Sequence, residues 1–133
     1  MLESDLVKLF SKSQYSLIFY EVSIGDKSIF GQNSTDRKID IVIFHGIKSK
    51  KCLVYSDNKE MFLKILQENS DEIEIIEVKK KLNRGVIGQI LVAEYMFKKK
   101  FQVKKLRKSV LCYIGDDALE SFCKESKINF IKL

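Results

Sequence analysis

The spacing of hydrophobic and polar positions changes period several times along the chain, and each change predicts a new element. Leu2, Leu6, Leu9 and Phe10 recur at helical spacing with Glu3, Asp5, Lys8 and Lys12 around them, an amphipathic helix over Leu2–Phe10 that Ser4 or Asp5 can cap. Tyr15–Ile24, with Leu17, Phe19 and Val22, reads as a first strand, and the polar stretch from Gly25 to Lys38 as a loop. Lys38–Phe44 is a second, β-branched strand ending in a turn at His45-Gly46. A short strand over Lys51–Tyr55 and a helix over Asn58–Gln67 follow, the helix capped by Asp57 and marked by Met61, Phe62, Ile65 and Leu66.

From Ile73 the pattern turns back to an alternation. Ile73, Ile75 or Ile76, and Val78 are available to a core, with Glu74, Glu77 and Lys79 between or after them. Residues two apart leave the same face of a strand, so Glu77 and Lys79 point together while Val78 points inward. Asn83 then offers a cap, and Val86, Ile87, Ile90, Leu91 and Met96 predict a helix from Arg84 to about Phe97 that carries Gln89. A strand over Ser109–Ile114, a helix through Cys123 capped by Asp116 or Asp117, and a strand over Ile128–Leu133 close the chain. That order implies a parallel final pair. The sum is an α/β domain with a mixed sheet and helices on both faces.

At 133 residues and 45% hydrophobic content the chain suits one domain with a real core. Proline is absent and glycines are few, so connections are short, with no domain boundary or repeat. No run of about eighteen apolar residues occurs. Glu3 and Asp5 stand where a signal peptide would be basic and then apolar, so a soluble, cytoplasmic protein without a membrane partner is expected. Cys52, Cys112 and Cys123 show no paired metal spacing, and Cys52 and Cys112 lie in apolar runs as expected of buried free thiols. His45 is the one histidine, has no ligand-spaced companion, and reads as a surface turn residue.

A net charge of +6 suggests a polyanionic partner. The charge is concentrated: Lys98, Lys99, Lys100, Lys104, Lys105, Arg107 and Lys108 crowd one stretch, and Lys79, Lys80, Lys81 and Arg84 follow the Ile73 strand. A lysine run is often only a solvated face; beside a phosphodiester site it fits a backbone track.

Glu77-Val78-Lys79 at a strand's end suits phosphodiester hydrolysis with a divalent cation, the carboxylate holding a hard cation and the ammonium orienting water or offsetting charge. Asp40, opening the second strand, supplies the further carboxylate. Glu-x-Lys is cheap in this composition and recurs at Glu125-Ser126-Lys127, so order and context carry the argument. No nucleophilic Ser or Cys arrangement and no Gly-x-x-x-x-Gly-Lys phosphate loop is present.

With Asp40, Glu77-Val78-Lys79 and the Gly88-Gln89 helix in this order, the chain resembles the PD-(D/E)xK nucleases, the restriction-endonuclease-like superfamily that includes archaeal Holliday junction resolvases and RecB-type domains. The resemblance spans most of the chain and implies an αβββαβ core, here with an inserted strand and helix and a C-terminal helix and strand. It implies a deoxyribonuclease, with an endonuclease favoured over an exonuclease, in which Asp40, Glu77 and the Val78 carbonyl bind Mg²⁺ or Mn²⁺, Lys79 assists the attacking water, and Gln89 holds water or a phosphate oxygen. Glu3, on the first helix, or Glu21, near the end of the first strand, would complete the metal site. Lys80, Lys81, Arg84 and the Lys98–Lys108 stretch would contact DNA, and a homodimer is an expectation from relatives that cut both strands. The chain departs from the family in two places. The insertion leaves the pairing of the Lys38–Phe44 strand open, and the position four residues after Gln89, a tyrosine in RecB-type domains, is Ala93. The alternatives are an inactive module of the same fold that binds nucleic acid or scaffolds a partner, and an interaction protein whose basic stretch meets an acidic partner or membrane surface.

Overall fold

Strand β4, Ile73–Lys81, is the central beam of a six-stranded mixed sheet. The computed structural model describes residues 2–68 and 72–133. In chain order the elements are α1 (Glu3–Lys12), β1 (Leu17–Ser23), α2 (Lys27–Phe30), β2 (Lys38–Phe44), β3 (Lys51–Val54), a 3₁₀ turn (Tyr55–Asp57), α3 (Lys59–Glu68), β4, α4 (Arg84–Phe101), β5 (Arg107–Ile114), α5 (Asp117–Glu125) and β6 (Asn129–Lys132). The strand order is β3-β1-β2-β4-β5-β6. β1–β2 and β2–β4 are antiparallel, while β4–β5, β5–β6 and β1–β3 are parallel.

β3 and α3, between β2 and β4 in the chain, do not disturb the β2–β4 pair. β3 joins the far edge beside β1, and α3 returns over the sheet with Phe62 packed edge-on against Phe19 and Tyr55, ring centroids 5.1 Å apart in each case. β2 is thereby left free to pair with β4 through Ile41–Ile76, Val42–Ile75, Ile43–Glu74 and Phe44–Ile73. The pairing that the sequence left open is settled by where Tyr55 and Phe62, between β3 and β4, can be buried.

Helices cover both faces. Leu6 and Phe10 of α1 pack on Ile18, Ile41, Ile43, Ile76, Val78 and Leu111. The other face packs Ile73 and Ile75 with α3, α4 and α5 through Phe62, Leu66, Ile90, Phe97 and Cys123. β4 is therefore covered on both sides, not half-solvated as its alternation suggests, and Glu74 and Glu77 are buried with the isoleucines.

Several ends differ from the sequence reading. Leu2, not Ser4 or Asp5, precedes α1, and Asp5 instead accepts the Leu2 amide from the third helical position. Asp57 belongs to the 3₁₀ turn, and Asn58 stands immediately before α3. Inside the expected Gly25–Lys38 loop, Asp26 accepts the Ser28 amide and starts the short α2. Asn83 and Asp116 cap α4 and α5 as expected, and α4 runs on to Phe101 because Phe97 and Phe101 join the aromatic cluster around Phe62. Among the described residues no helix is long and apolar enough to cross a membrane.

Candidate functional site

Asp40 and Glu77 meet where the sheet opens. The last β2–β4 pair is Ile41 with Ile76; one step beyond it, the Val78 amide donates to Asp40 Oδ2 at 2.7 Å. The Asp40 carboxyl thus takes the place of a β2 backbone carbonyl and wedges the two strands. A strand residue's N–H and C=O leave toward the same neighbour, so the Val78 carbonyl is directed to this side as well.

Glu21 faces the same point from β1. The pairs Tyr20–Ile41 and Val22–Ile39 bracket it opposite Asp40. Both strands change phase here: Leu17 and Phe19 lie in the α4-side core and Ile18 in the α1-side core, yet Val22 rejoins the α4 side, and on β2 Ile39 does the same after Ile41. Glu21 has φ 55°, a left-handed conformation that costs a side-chain-bearing residue about 1–3 kcal/mol and concentrates at functional sites. The carboxylates of Glu21, Asp40 and Glu77 therefore belong to three adjacent strands at one level of the sheet.

The pair is electrostatically strained. Burial, then the neighbouring Asp40 charge, pushes the Glu77 carboxyl up to about 9, with Glu21 adding to the shift. Asp40 is raised too, first by burial and then by the charges of Glu21 and Glu3, against the opposing hydrogen bond from Val78. Among the described residues no lysine, arginine or histidine forms an ion pair with Asp40 or Glu77.

Lys79 follows on β4, half-exposed, with its Nζ 3.9 Å from Glu3 Oε2. Glu3 Oε2 also lies 3.4 Å from the Lys80 amide, so the first turn of α1 is tied to the end of β4. Glu77 opens into a cleft of about 490 Å³ whose other walls include Lys38 at the start of β2, Arg37 just before it, and Gly88, Gln89, Val92 and Ala93 from α4. Gln89 is exposed there, and Lys81 and Arg84 are exposed beyond it. Arg37 and Lys38 were not singled out by the sequence reading; their place two and three residues before Asp40 was the available signal.

The basic stretch is divided by the fold. Lys98 and Lys108 reach Glu94 Oε2 at 3.5 and 3.2 Å. Lys100 donates to the carbonyls of Ser23 and Gly25, 3.0 Å each, and burial lowers its pKa. These three have intramolecular work. Lys99, Lys104, Lys105 and Arg107 are exposed, but Arg107 pairs with Glu74, three positions along β4 from Glu77, and Lys99 lies ten residues along α4 from Gln89, about 15 Å at helical rise. Lys105 and Arg107 thus stand by the start of β4, at the opposite end of the sheet from Lys79–Lys81, whereas Lys100 is anchored on the two carbonyls flanking Ile24, a residue of the cleft wall.

Two other residues differ from expectation. Cys52 is exposed on the edge strand β3, whereas Cys112 and Cys123 are buried. His45 is half-buried, its Nε2 2.6 Å from Glu74 Oε1, and Glu74 also accepts a short hydrogen bond from Ser109 Oγ. With Glu74 between the other two, the trio lacks the serine-to-histidine contact that nucleophilic catalysis needs. No protein-family model matches the chain, nor does any curated protein or solved structure.

Proposed function

We propose that the chain is a metal-dependent nuclease with a restriction-endonuclease-like fold, hydrolysing phosphodiester bonds in DNA. One observation carries the reading: two carboxyls, the part-buried Asp40 and the buried Glu77, are held side by side where Glu77 opens into the cleft, both with raised pKa values and, among the described residues, neither in an ion pair. Carboxyls whose ionisation is this costly are stabilised in the ionised form by a bound cation, and carboxylate and carbonyl oxygens suit a hard one. The donor set fits Mg²⁺ or Mn²⁺ through Asp40, Glu77 and the Val78 carbonyl, with Glu21 and Glu3 near enough for their charges to act on Asp40. Such an ion supplies a Lewis acid for the phosphoryl oxygen and lowers the pKa of the attacking water.

The chain's own groups do the rest. Lys79, two residues after Glu77 on β4 and within 3.9 Å of Glu3, is the ammonium that would orient the water and stabilise charge developing on the phosphate. Gln89 offers an amide across the cleft from Glu77 that can hold the water or a phosphate oxygen. Arg37 and Lys38 line the cleft with positive charge, and Lys80, Lys81 and Arg84, exposed from the end of β4 to the start of α4, would add to it.

A second reading, an inactive module of this fold that binds nucleic acid or scaffolds a partner, is favoured by one fact: among the described residues no three His, Cys, Asp or Glu side chains form a group arranged to hold a metal. Plasmid and branched-DNA cleavage with Mg²⁺ or Mn²⁺ against an EDTA control separates the two. Metal-dependent cutting that is lost in Asp40→Asn supports the nuclease; binding without cutting supports the module.

A further inference from the structure

The walls of the cleft differ in chemistry. Arg37 and Lys38 are exposed on one side, and among the described residues neither forms an ion pair. The α4 side is uncharged: from Gly85 to Ala93 the helix carries no ionisable residue, in a chain that is 32% charged. Gly88, Gln89 and Val92 from this stretch line the cleft, and nothing lies within 4 Å of where a Gly88 Cβ would stand. Three residues past Val92, Tyr95 is 59% exposed, with the Lys99 ammonium 5.9 Å from its ring centroid and the Phe30 ring of α2 at 6.4 Å.

From this asymmetry we propose that the cleft takes a single strand of nucleic acid, with phosphates along Arg37 and Lys38 and unpaired bases against Gly88, Val92 and Tyr95. The inference rests on the nuclease reading for the site at the cleft floor and names the form of its substrate. A duplex presents phosphates on its outer surface and hides the faces of its bases, so it leaves an apolar wall without a partner. A single strand has one charged edge and one apolar edge, as the cleft does, and base faces stack on exposed aromatic rings regardless of sequence. A strand lying along α4 from Gly88 toward Tyr95 passes Glu77 with its backbone on the Arg37 side, where the scissile bond has to lie.

Fluorescence anisotropy in EDTA, with labelled oligothymidylate and a duplex of equal length, tests this apart from catalysis. The strand should bind about tenfold more tightly than the duplex. Tyr95→Ala, at an exposed position outside the core, should weaken strand binding about tenfold, within the range for one stacked base, and leave duplex binding unchanged, and Val92→Asp, also exposed, should weaken the strand by more than its added charge weakens the duplex. Gly88→Leu, which fills open space and favours the helix, should also weaken the strand. Equal or tighter duplex binding, binding to neither, or three variants that all bind like the parent would overturn the proposal. So would a dimer in sedimentation that Val92→Asp dissociates, which would put a second copy on this wall. Strand binding that responds to these variants without cleavage under Mg²⁺ or Mn²⁺ would remove the nuclease reading and keep the inference; cleavage of duplex with no strand preference would do the reverse.

Discussion

The Val78 amide donates to the Asp40 side chain at 2.7 Å, across two strands whose backbone pairing has just ended at Ile41 and Ile76. One hydrogen bond therefore holds the carboxyl in position and closes the end of the ladder. Substitution can separate those roles. Asn and Ala at position 40 both remove the charge, but Asn keeps an acceptor for the amide. Asp40→Ala should be less stable than Asp40→Asn by about 1–3 kcal/mol, the cost of a part-buried donor left unpaired. Both should lose divalent-cation binding. Urea unfolding and titration calorimetry with Mn²⁺ check the two effects, and equal stability of the two variants would show that the Val78 contact contributes nothing.

Glu77 makes the metal-free protein sensitive to base. Its pKa is raised from 4.5 to about 9, so between those values the folded chain binds a proton that the unfolded chain has released. Stability must then fall as pH rises through this window, by at most about 1.4 kcal/mol per pH unit for one proton. Thermal unfolding in EDTA should show Tm declining from pH 5 to pH 9. Glu77→Gln, neutral throughout, should flatten the decline and raise Tm at pH 9. A divalent cation needs the ionised carboxylates, so its affinity should increase with pH and its binding should release protons. A Tm profile in Glu77→Gln identical to the parent's would assign the pH dependence to other groups.

The strands and main helices were legible because their burial follows simple periods, and Asn83 and Asp116 announced two helix starts correctly. The Asp40–Glu77 contact was legible in order but not in depth. The alternation Glu74-Ile75-Ile76-Glu77 resembles a strand with a wet face, and only the packing of α1 against one side and α4 against the other buries both glutamates. Glu21 could be placed near a strand end, but its left-handed backbone and the phase change of β1 and β2 depend on tertiary pairing that no local pattern encodes. The lysine stretch shows the reverse limit. Adjacency in sequence suggested one surface, whereas the turn from α4 into β5 gives Lys98, Lys100 and Lys108 partners within the fold.

That division makes the basic residues distinguishable by experiment. Lys100→Gln removes a half-buried ammonium from two carbonyls that tie α4 to the end of β1, so it should lower stability by about 1–2 kcal/mol and leave the salt dependence of DNA binding nearly unchanged. Lys38→Gln, at an exposed position on the cleft, should leave stability within about 0.5 kcal/mol and reduce the slope of log K against log salt by about 0.7–0.9. Denaturation curves and salt titrations of both variants are sufficient. A slope change confined to Lys100→Gln would mean that this lysine leaves its carbonyls to reach phosphate.

Lys79 provides the test that separates chemistry from binding. Its Nζ is 3.9 Å from Glu3 Oε2 and it is half-exposed, so neither the core nor the Asp40–Glu77 pair depends on it. If its ammonium orients water and stabilises charge on the phosphate, Lys79→Ala should keep Mn²⁺ binding and lose cleavage by a factor of about 10² to 10³, the usual loss for one preorganised electrostatic contact. DNA binding should fall only slightly, because Lys80, Lys81 and Arg84 remain exposed nearby. Glu3→Gln frees Lys79 from its outer partner without removing it, so its effect on rate should be much smaller, below about tenfold, with KM little altered. Calorimetry for the ion, anisotropy for DNA and a gel assay for cleavage give the three readouts on the same preparation. A Lys79→Ala protein that cuts at the parental rate would reduce Glu77-Val78-Lys79 to a coincidence of a lysine-rich chain, and one that also loses the ion would make Lys79 part of the metal site's support instead of its chemistry.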